Sequence, residues 1–200
     1  MTATRPGGDT AVLQVLTVCT GNICRSPAAE RLLRQRLGAG SGVTVRSAGV
    51  QAVVGAPIDA PVVELLSARG TDTGDFAARA LTERIATSSD VVLTATREHR
   101  TAVVDAAPAL VRRSFTLREL ARLAQDVDED DLVARAGEGA SPAARFKALV
   151  DLASRHRVQV PRELDDVPDP YRGSPEEYRA AIDAVAEAID AIADKVLGTA

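Results

Sequence analysis

The stretch VLTVCTGNICRSPAAE, residues 15–30, joins an apolar β-branched run to what looks like the start of a helix. The run ends at Val18, and Ser26 with the proline after it is typical of a helix start. Between them, Gly21 and Asn22 are residue types that accept left-handed backbone angles, so the connection can turn sharply. The stretch therefore predicts a strand, a tight loop and a helix.

A loop of this kind turns several backbone N–H groups inward at the positive end of the helix, which makes an anion site. Arg25 adds a planar guanidinium that can hold two oxygens of a phosphate. Cys19 lies at the mouth of this nest, an environment that favours a thiolate, so we expect it to attack a bound phosphorus and form a phosphocysteine. The predicted phosphate-binding residues are Thr20, Gly21, Asn22, Ile23, Cys24, Arg25 and Ser26.

Other interpretations of the two cysteines are weaker. An isolated cysteine in a strand is most often a small buried hydrophobic residue, but a cysteine, five residues and an arginine between strand and helix favour a nucleophile. Zinc is poorly supported, because there is no second cysteine pair and His99 and His156 are solitary. The loop also lacks the Gly-Lys-Ser or Gly-Lys-Thr ending of a nucleotide P-loop. We expect no metal and no cofactor.

Composition narrows the class of protein. The chain has 200 residues, 46% of them hydrophobic, which suits one domain with a substantial core. Its formal net charge of -4 argues against a protein that holds nucleic acid by neutralising phosphates. No apolar run approaches the length of a membrane helix and the N-terminus lacks the core of a secretory signal, so we expect a cytoplasmic protein with no membrane partner. The sequence does not indicate the oligomeric state.

Short β-branched runs alternate with segments of helical period. The runs cover 11–18, 42–48, 90–95 and 112–117, and the helical segments cover 27–37, 57–69 and 97–107. Because parallel strands need a crossover, which is usually a helix, the alternation predicts an α/β fold with helices on both faces of a parallel sheet. A last helix is predicted after an N-cap at Ser174, with an apolar stripe. The stripe is formed by Tyr178, Ile182, Val185, Ile189, Ile192 and Val196.

The predicted domain organisation is simple. Residues 1–10, rich in Thr, Gly and Pro, are expected to be a disordered lead-in. Residues 11–200 then form a single domain. The strand pattern is absent from about 118–166, which predicts a helical insertion in that domain.

VCTGNICRSPAAE resembles the signature of the low-molecular-weight protein tyrosine phosphatases. The likeness extends to SAG at 47–49, GAPID at 55–59, AR at 78–79 and DPYRG at 169–173. It implies a single domain whose four-stranded parallel sheet has the flavodoxin-like order 2-1-3-4, with the loop at the carboxyl edge of the first strand. It also implies metal-independent hydrolysis of phosphotyrosine in a protein substrate.

Phosphotyrosine cleavage needs a proton for the leaving phenolate, which a placed carboxylic acid supplies. Asp169 precedes a proline that holds it in an extended conformation, although such a pair also marks an ordinary turn. By the resemblance, Asp169 is the general acid and then the base, and Tyr171 forms an aromatic wall beside the substrate ring. The resemblance further implies that Asn22 shapes the loop and that Ser47 hydrogen-bonds to it. The competing interpretations are a Tyr171 packed on the last helix and a Ser47 without a partner.

This chain departs from the family pattern at three places. Phe76 stands where many members have histidine, Arg172 stands where many have a second tyrosine, and no aromatic residue lies between Val50 and Gly55. The substrate cleft is therefore expected to lose aromatic surface and gain positive charge.

Other functions stay open. An arsenate reductase coupled to a small external thiol is one, and a non-catalytic phosphoprotein-binding module is another. A protein arginine phosphatase is a third. Such phosphatases resemble the same family, but they carry threonine where this loop has Ile23. Cys24 is further expected to form a protective disulfide with Cys19 under oxidation.

Overall fold

Four parallel strands form the sheet in the computed structural model, which describes residues 12–199. Their order is β2-β1-β3-β4, so the predicted 2-1-3-4 order is confirmed. The carboxyl ends of β1 and β2 coincide, since Cys19 pairs with Gly49 in the register. The strands are β1 (Leu13–Cys19), β2 (Val43–Gly49), β3 (Val91–Thr94) and β4 (Ser114–Thr116). The predicted lead-in at 1–10 lies outside the described residues.

Helices connect the strands and cover both faces of the sheet. They are α1 (Arg25–Leu37), α2 (Ala60–Ser67), α3 (Glu83–Thr87), α4 (Arg97–Ala106), α5 (Leu117–Asp126), α6 (Glu129–Ala136), α7 (Pro142–Arg155), α8 (Arg162–Asp165) and α9 (Pro175–Leu197). Successive side chains of a strand point to opposite faces. In β1, Val15 therefore joins the larger core under α1, α5 and α9, whereas Leu16 and Val18 join a smaller core under α3 and α4.

Local capping explains where the last helix begins. Ser174 caps α9, because its hydroxyl accepts from the backbone N–H of Glu177 while the Glu177 carboxylate accepts from the N–H of Ser174. The predicted N-cap is confirmed. At the other end of the chain, α1 begins at Arg25, one residue earlier than predicted, and its N-cap residue Cys24 makes no side-chain cap. The first turn of α1 is therefore left open to another acceptor.

The segment 118–166 is helical and shares the main core. Leu120, Leu132 and Phe146 are fully buried in the cluster that also holds the apolar stripe of α9. α5 packs along α9 and continues directly from β4, with a capping box at Thr116 and Glu119. That this segment is an insertion into one domain, with boundaries near 118 and 166, stays a prediction.

Gly49 lies at the close contact between β2 and the loop after β1. A Cβ at this position would lie 2.4 Å from the carbonyl oxygen of Thr20 and 2.9 Å from the backbone nitrogen of Asn22. Both neighbours are backbone atoms, which cannot rotate away as a side-chain tip can. The loop backbone therefore packs where any side chain at residue 49 would be.

We expect Gly49→Ala to lower the free energy of unfolding by about 1–3 kcal/mol, because the added methyl overpacks a site that cannot relax. Urea unfolding of both proteins measures the difference. Gly74→Ala is the matched control, since its only close neighbour is the carboxylate tip of Asp72 at 3.3 Å. A Gly49→Ala protein as stable as the unmodified chain would contradict the contact.

Candidate active site

The loop from Cys19 to Cys24 is held in place through its carbonyl groups. Its carbonyl oxygens accept backbone hydrogen bonds of 3.0 Å from the segment that follows β2. The pairs are Val50 to Cys19, Gln51 to Thr20, Val53 to Gly21 and Asp59 to Ile23, donor first. Within residues 12–199, the backbone N–H groups of 21–24 have no acceptor. The loop therefore presents unpaired donors at the open N-terminus of α1, as an anion site requires.

Asn22 shapes this loop. Its backbone adopts a left-handed φ of 55°, and its side chain is fully buried. The side-chain amide nitrogen donates to Ser26 Oγ at 2.9 Å, and the amide oxygen accepts from the backbone N–H of Arg79 at 2.8 Å. Gly21 does not take a positive φ, so the sharp turn depends on Asn22 rather than on both residues.

Ser47 does not bond to Asn22, and that prediction is wrong. The Ser47 hydroxyl donates to Glu30 Oε2 at 2.6 Å. Glu30 lies on α1 and is 3% exposed, so its carboxylate needs hydrogen-bond donors. Ser47 supplies one and Arg34 supplies another at 3.3 Å. Ser47 thus fixes α1 against β2 and supports the loop only indirectly.

The proposed nucleophile lies at the floor of the loop. Cys19 is 2% exposed, and its Sγ is 3.0 Å from Ser26 Oγ. Ser26 Oγ accepts from Asn22, and its own proton can go to the Cys19 sulfur at 3.0 Å or to the more distant carbonyl oxygen of Ala48 at 3.4 Å. The chain Asn22, Ser26, Cys19 can therefore stabilise negative charge on that sulfur.

Arg25 forms an ion pair with Asp169, the predicted general acid. Its Nη2 lies 2.7 Å from Asp169 Oδ2, and its Nη1 donates to the carbonyl oxygen of Val167 at 3.0 Å. The Nε atom is buried and has no partner among the described residues. A buried unpaired donor of this kind commonly marks the place of an ion or water. The structure thus places Asp169 beside the loop and leaves the Nε–H of Arg25 without a partner among residues 12–199, so that it can donate to an anion.

His99 contacts the same loop, a position that the sequence did not predict. Its Nε2 is 2.9 Å from Thr20 Oγ1 and its Nδ1 is 2.8 Å from Thr96 Oγ1. Burial, with the charge of Arg25 next, lowers the pKa of His99 to about 4, so the ring is neutral at neutral pH. Thr20 Oγ1 also accepts from Arg25 at 3.4 Å. The helix start at Thr96, directly after β3, is the sequence signal that could have placed His99 here.

The cavity that holds Arg25 and Asp169 is lined mainly by polar and charged side chains, among them His99, whereas the exposed apolar and aromatic side chains lie in the segments that flank the loop. Tyr171 is 47% exposed and does not pack into the core, and the Arg172 guanidinium lies 5.2 Å from its ring centroid. Val53 and Val54 are also exposed, and Val53 is tied to the loop through its backbone bond to Gly21. These two valines belong to the segment after β2, between Val50 and Gly55, which contains no aromatic residue. The aromatic wall at Tyr171 stays a prediction.

The thiol of Cys24 is directed towards Asp59. Its Sγ is 3.7 Å from Asp59 Oδ2. Burial raises the pKa of Cys24 well above its usual range, and Asp59 adds to the effect. Both cysteines are free, and a disulfide between them under oxidation stays a prediction.

Two features are absent from residues 12–199. No group of three or more His, Cys, Asp or Glu side chains in this part of the chain is arranged to hold a metal ion. No helix in the same range is long and apolar enough to cross a membrane.

The sequence profile of one family matches residues 14–132 of this chain, and that family is described as low molecular weight phosphotyrosine protein phosphatase. The chain belongs to this family. The matched range holds the whole nucleophile loop and His99 but ends before Asp169.

Individual relatives agree with the family. The chain is 45% identical over 94 residues to the low molecular weight protein-tyrosine-phosphatase Etp of Escherichia coli K12, a match that covers 47% of this chain and 62% of Etp. It is 38% identical over 106 residues to the probable low molecular weight protein-tyrosine-phosphatase EpsP of Ralstonia nicotianae, covering 53% of this chain and 71% of EpsP. This chain thus spans less than two thirds of the length of Etp.

Solved structures extend the likeness beyond the range of the profile. YwlE arginine phosphatase from Geobacillus stearothermophilus has a TM-score of 0.66 and 27% identity, and the match covers 94% of each chain. Vibrio vulnificus Wzb in complex with benzylphosphonate has a TM-score of 0.64 and 26% identity, covering 92% of this chain and 98% of that one.

The pKa of His99 predicts an acid-dependent loss of stability. The value falls from 6.5 for an ordinary histidine to about 4 in the fold, so between these values the unfolded chain binds a proton that the folded chain does not. We expect stability to fall as the pH drops from about 6.5 to about 4. In His99→Gln this part of the loss should be absent. Urea midpoints at several pH values measure it, with the exposed His156→Gln as control. Equal acid losses in the two variants would contradict the burial effect.

Proposed function

We propose that this chain is a cysteine-dependent phosphatase that hydrolyses phosphotyrosine in proteins. The observation that carries the proposal is that the N–H groups of 21–24 and the Nε of Arg25, in and next to the loop that begins at Cys19, have no acceptor among residues 12–199. Donors fixed in this way fit the oxygens of a phosphoryl group and stabilise charge that develops during transfer. A binding module would need neither a cysteine nor an acid beside them.

In the first step, phosphate oxygens take the unpaired donors of the loop and of Arg25. Cys19 Sγ attacks the phosphorus, the sulfur–phosphorus bond forms and the bond from phosphorus to the phenolic oxygen breaks. Asp169 donates a proton to that oxygen. In the structure its carboxyl bonds to Arg25 and its side chain is half exposed, so it lies at the rim where a leaving group departs.

The second step uses the same carboxyl group in reverse. Asp169, now a carboxylate, accepts a proton from water while the water oxygen attacks the phosphorus. The sulfur–phosphorus bond breaks, and inorganic phosphate and the Cys19 thiolate are restored. Ser26 Oγ, 3.0 Å from Sγ, stabilises the sulfur as it leaves.

An aryl ester suits the exposed side chains in the segments that flank the loop. The exposed side chains of Tyr171, Val53 and Val54 offer ring and aliphatic surface beside the polar loop. The likeness to Wzb, whose structure holds benzylphosphonate, supports an aromatic leaving group. The names of the curated relatives support a phosphotyrosine substrate.

A protein arginine phosphatase is the second candidate, favoured by the likeness to YwlE. Ile23 argues for the aryl ester, because its side chain adds an apolar group to the loop where a hydroxyl would help a guanidinium leave. The two candidates share the loop and the nucleophile, so only the leaving group separates them.

The direct test is an assay with a phosphotyrosine peptide and a phosphoarginine peptide of the same sequence. We expect turnover of the phosphotyrosine peptide to exceed that of the other, because Ile23 gives the loop no hydroxyl that would help a guanidinium leave. Cys19→Ser should abolish turnover of both, whereas Cys24→Ser should still form the phosphocysteine, detected by mass spectrometry after an acid quench. Faster phosphoarginine turnover would favour the second candidate, and activity that survives Cys19→Ser would contradict the nucleophile.

The acid role of Asp169 predicts a selective loss. In Asp169→Asn we expect turnover of phenyl phosphate to fall by about 10² or more, since that leaving group needs the proton. Turnover of 2,4-dinitrophenyl phosphate, whose leaving group needs none, should fall far less. Steady-state rates on the two esters measure the contrast. Equal slowing of both would contradict the assignment.

A further inference from the structure

Asp59 connects to the phosphate loop from outside. Its backbone N–H donates to the carbonyl oxygen of Ile23 at 3.0 Å. Its carboxylate lies 3.7 Å from the sulfur of Cys24, which keeps its proton and donates it. Asp59 is therefore bonded twice to the loop that begins at Cys19.

The same carboxylate accepts a hydrogen bond from the Tyr178 hydroxyl on α9. That hydroxyl also accepts from the backbone N–H of Arg172 at 3.3 Å. Tyr178 is 5% exposed. Burial, followed by the bond to Asp59, raises its pKa to about 12, so it stays a donor at neutral pH. Tyr178 thus joins Asp59 to the segment that carries Asp169.

The segment 169–173 is a turn closed by its own hydrogen bonds. The N–H of Gly173 donates to the Pro170 carbonyl at 2.8 Å, and the N–H of Tyr171 donates to Asp169 Oδ1 at 3.3 Å. Arg172 has a φ of 63°, a conformation that costs energy for a residue with a side chain. A strained residue of this kind persists only where its surroundings hold it.

The turn has two anchors outside itself. At its start, the Val167 N–H donates to the Ala95 carbonyl at 2.8 Å, and the Val167 carbonyl accepts from Arg25. Near its end, the Tyr178 hydroxyl holds Arg172. The ion pair of Asp169 with Arg25 is not a lasting third anchor, because a bound phosphate competes for Arg25.

We propose that Asp59 and Tyr178 are positioning residues, which hold the turn 169–173 against the phosphate loop so that the Asp169 carboxyl stays within reach of the leaving oxygen. The proposal rests on the proposed phosphatase function. The physical reason is that a small misplacement of a proton donor lowers the rate of the step that uses this donor and leaves the other steps unchanged.

Tyr178→Phe tests the role with little change of shape, since it removes only the hydroxyl. We expect kcat for phenyl phosphate to fall about tenfold, with KM nearly constant and kcat for 2,4-dinitrophenyl phosphate lowered by less than about twofold. Asp59→Ala should give the same selective loss. Asp59→Asn should keep most of the rate, because its amide oxygen still accepts the Tyr178 proton.

A double-mutant cycle with Asp169 separates positioning from general stability. If Tyr178 acts through Asp169, adding Tyr178→Phe to Asp169→Asn should cost no further rate on phenyl phosphate. Asp183→Asn is the matched control, because Asp183 is on the same helix and bonds to Arg69, away from the turn. Its rates on both esters should equal those of the unmodified chain.

Two outcomes would overturn the positioning role alone: equal slowing of both esters by Tyr178→Phe, or rate losses that add fully to those of Asp169→Asn. Failure of the unmodified chain to hydrolyse either ester would overturn the proposed function, and the positioning role with it.

Discussion

Four backbone hydrogen bonds determine the chemistry of this protein. They hold the carbonyl groups of the loop after β1 against the segment 50–59, and within residues 12–199 the N–H groups of 21–24 have no acceptor. Unpaired donors are costly in a folded chain unless something fills the site. An oxyanion of phosphate size would accept hydrogen bonds from these donors and so remove that cost. Cys19 begins the loop that would hold this anion.

Residues around this loop fix its conformation. Gly49 lets the loop backbone lie on the end of β2, and Asn22 accepts the left-handed turn while its side chain holds Ser26 beside the sulfur. His99 remains neutral and joins Thr20 to Thr96, so it adds no positive charge near Arg25. Each of these contacts fixes donors before a substrate arrives, which is the condition for electrostatic stabilisation of a transition state.

The sequence predicted those features that depend on local residue patterns. The four strands, the loop from Cys19 to Ser26 and the N-cap of α9 follow from residue types within a few positions of one another. The sheet order came from the resemblance to the family, because periodicity does not specify which strands pair. The four-stranded order and the N-cap are confirmed by the structure.

The contacts that the sequence missed join residues far apart in the chain. His99 meets Thr20 across 79 positions, and Tyr178 meets Asp59 across 119. Ser47 was assigned the wrong partner because the choice between Asn22 and Glu30 depends on how closely α1 packs on β2. Such pairings are set by tertiary packing, and no short pattern encodes them.

The most direct measurement is an NMR titration of the Cys19→Ser protein with inorganic phosphate, following every backbone amide and the arginine Nε–H signals. If the loop is the anion site, the amides of 21–24 and the Nε–H of Arg25 should show the largest shifts and saturate together. Saturation of other amides, with these signals unchanged, would contradict the account.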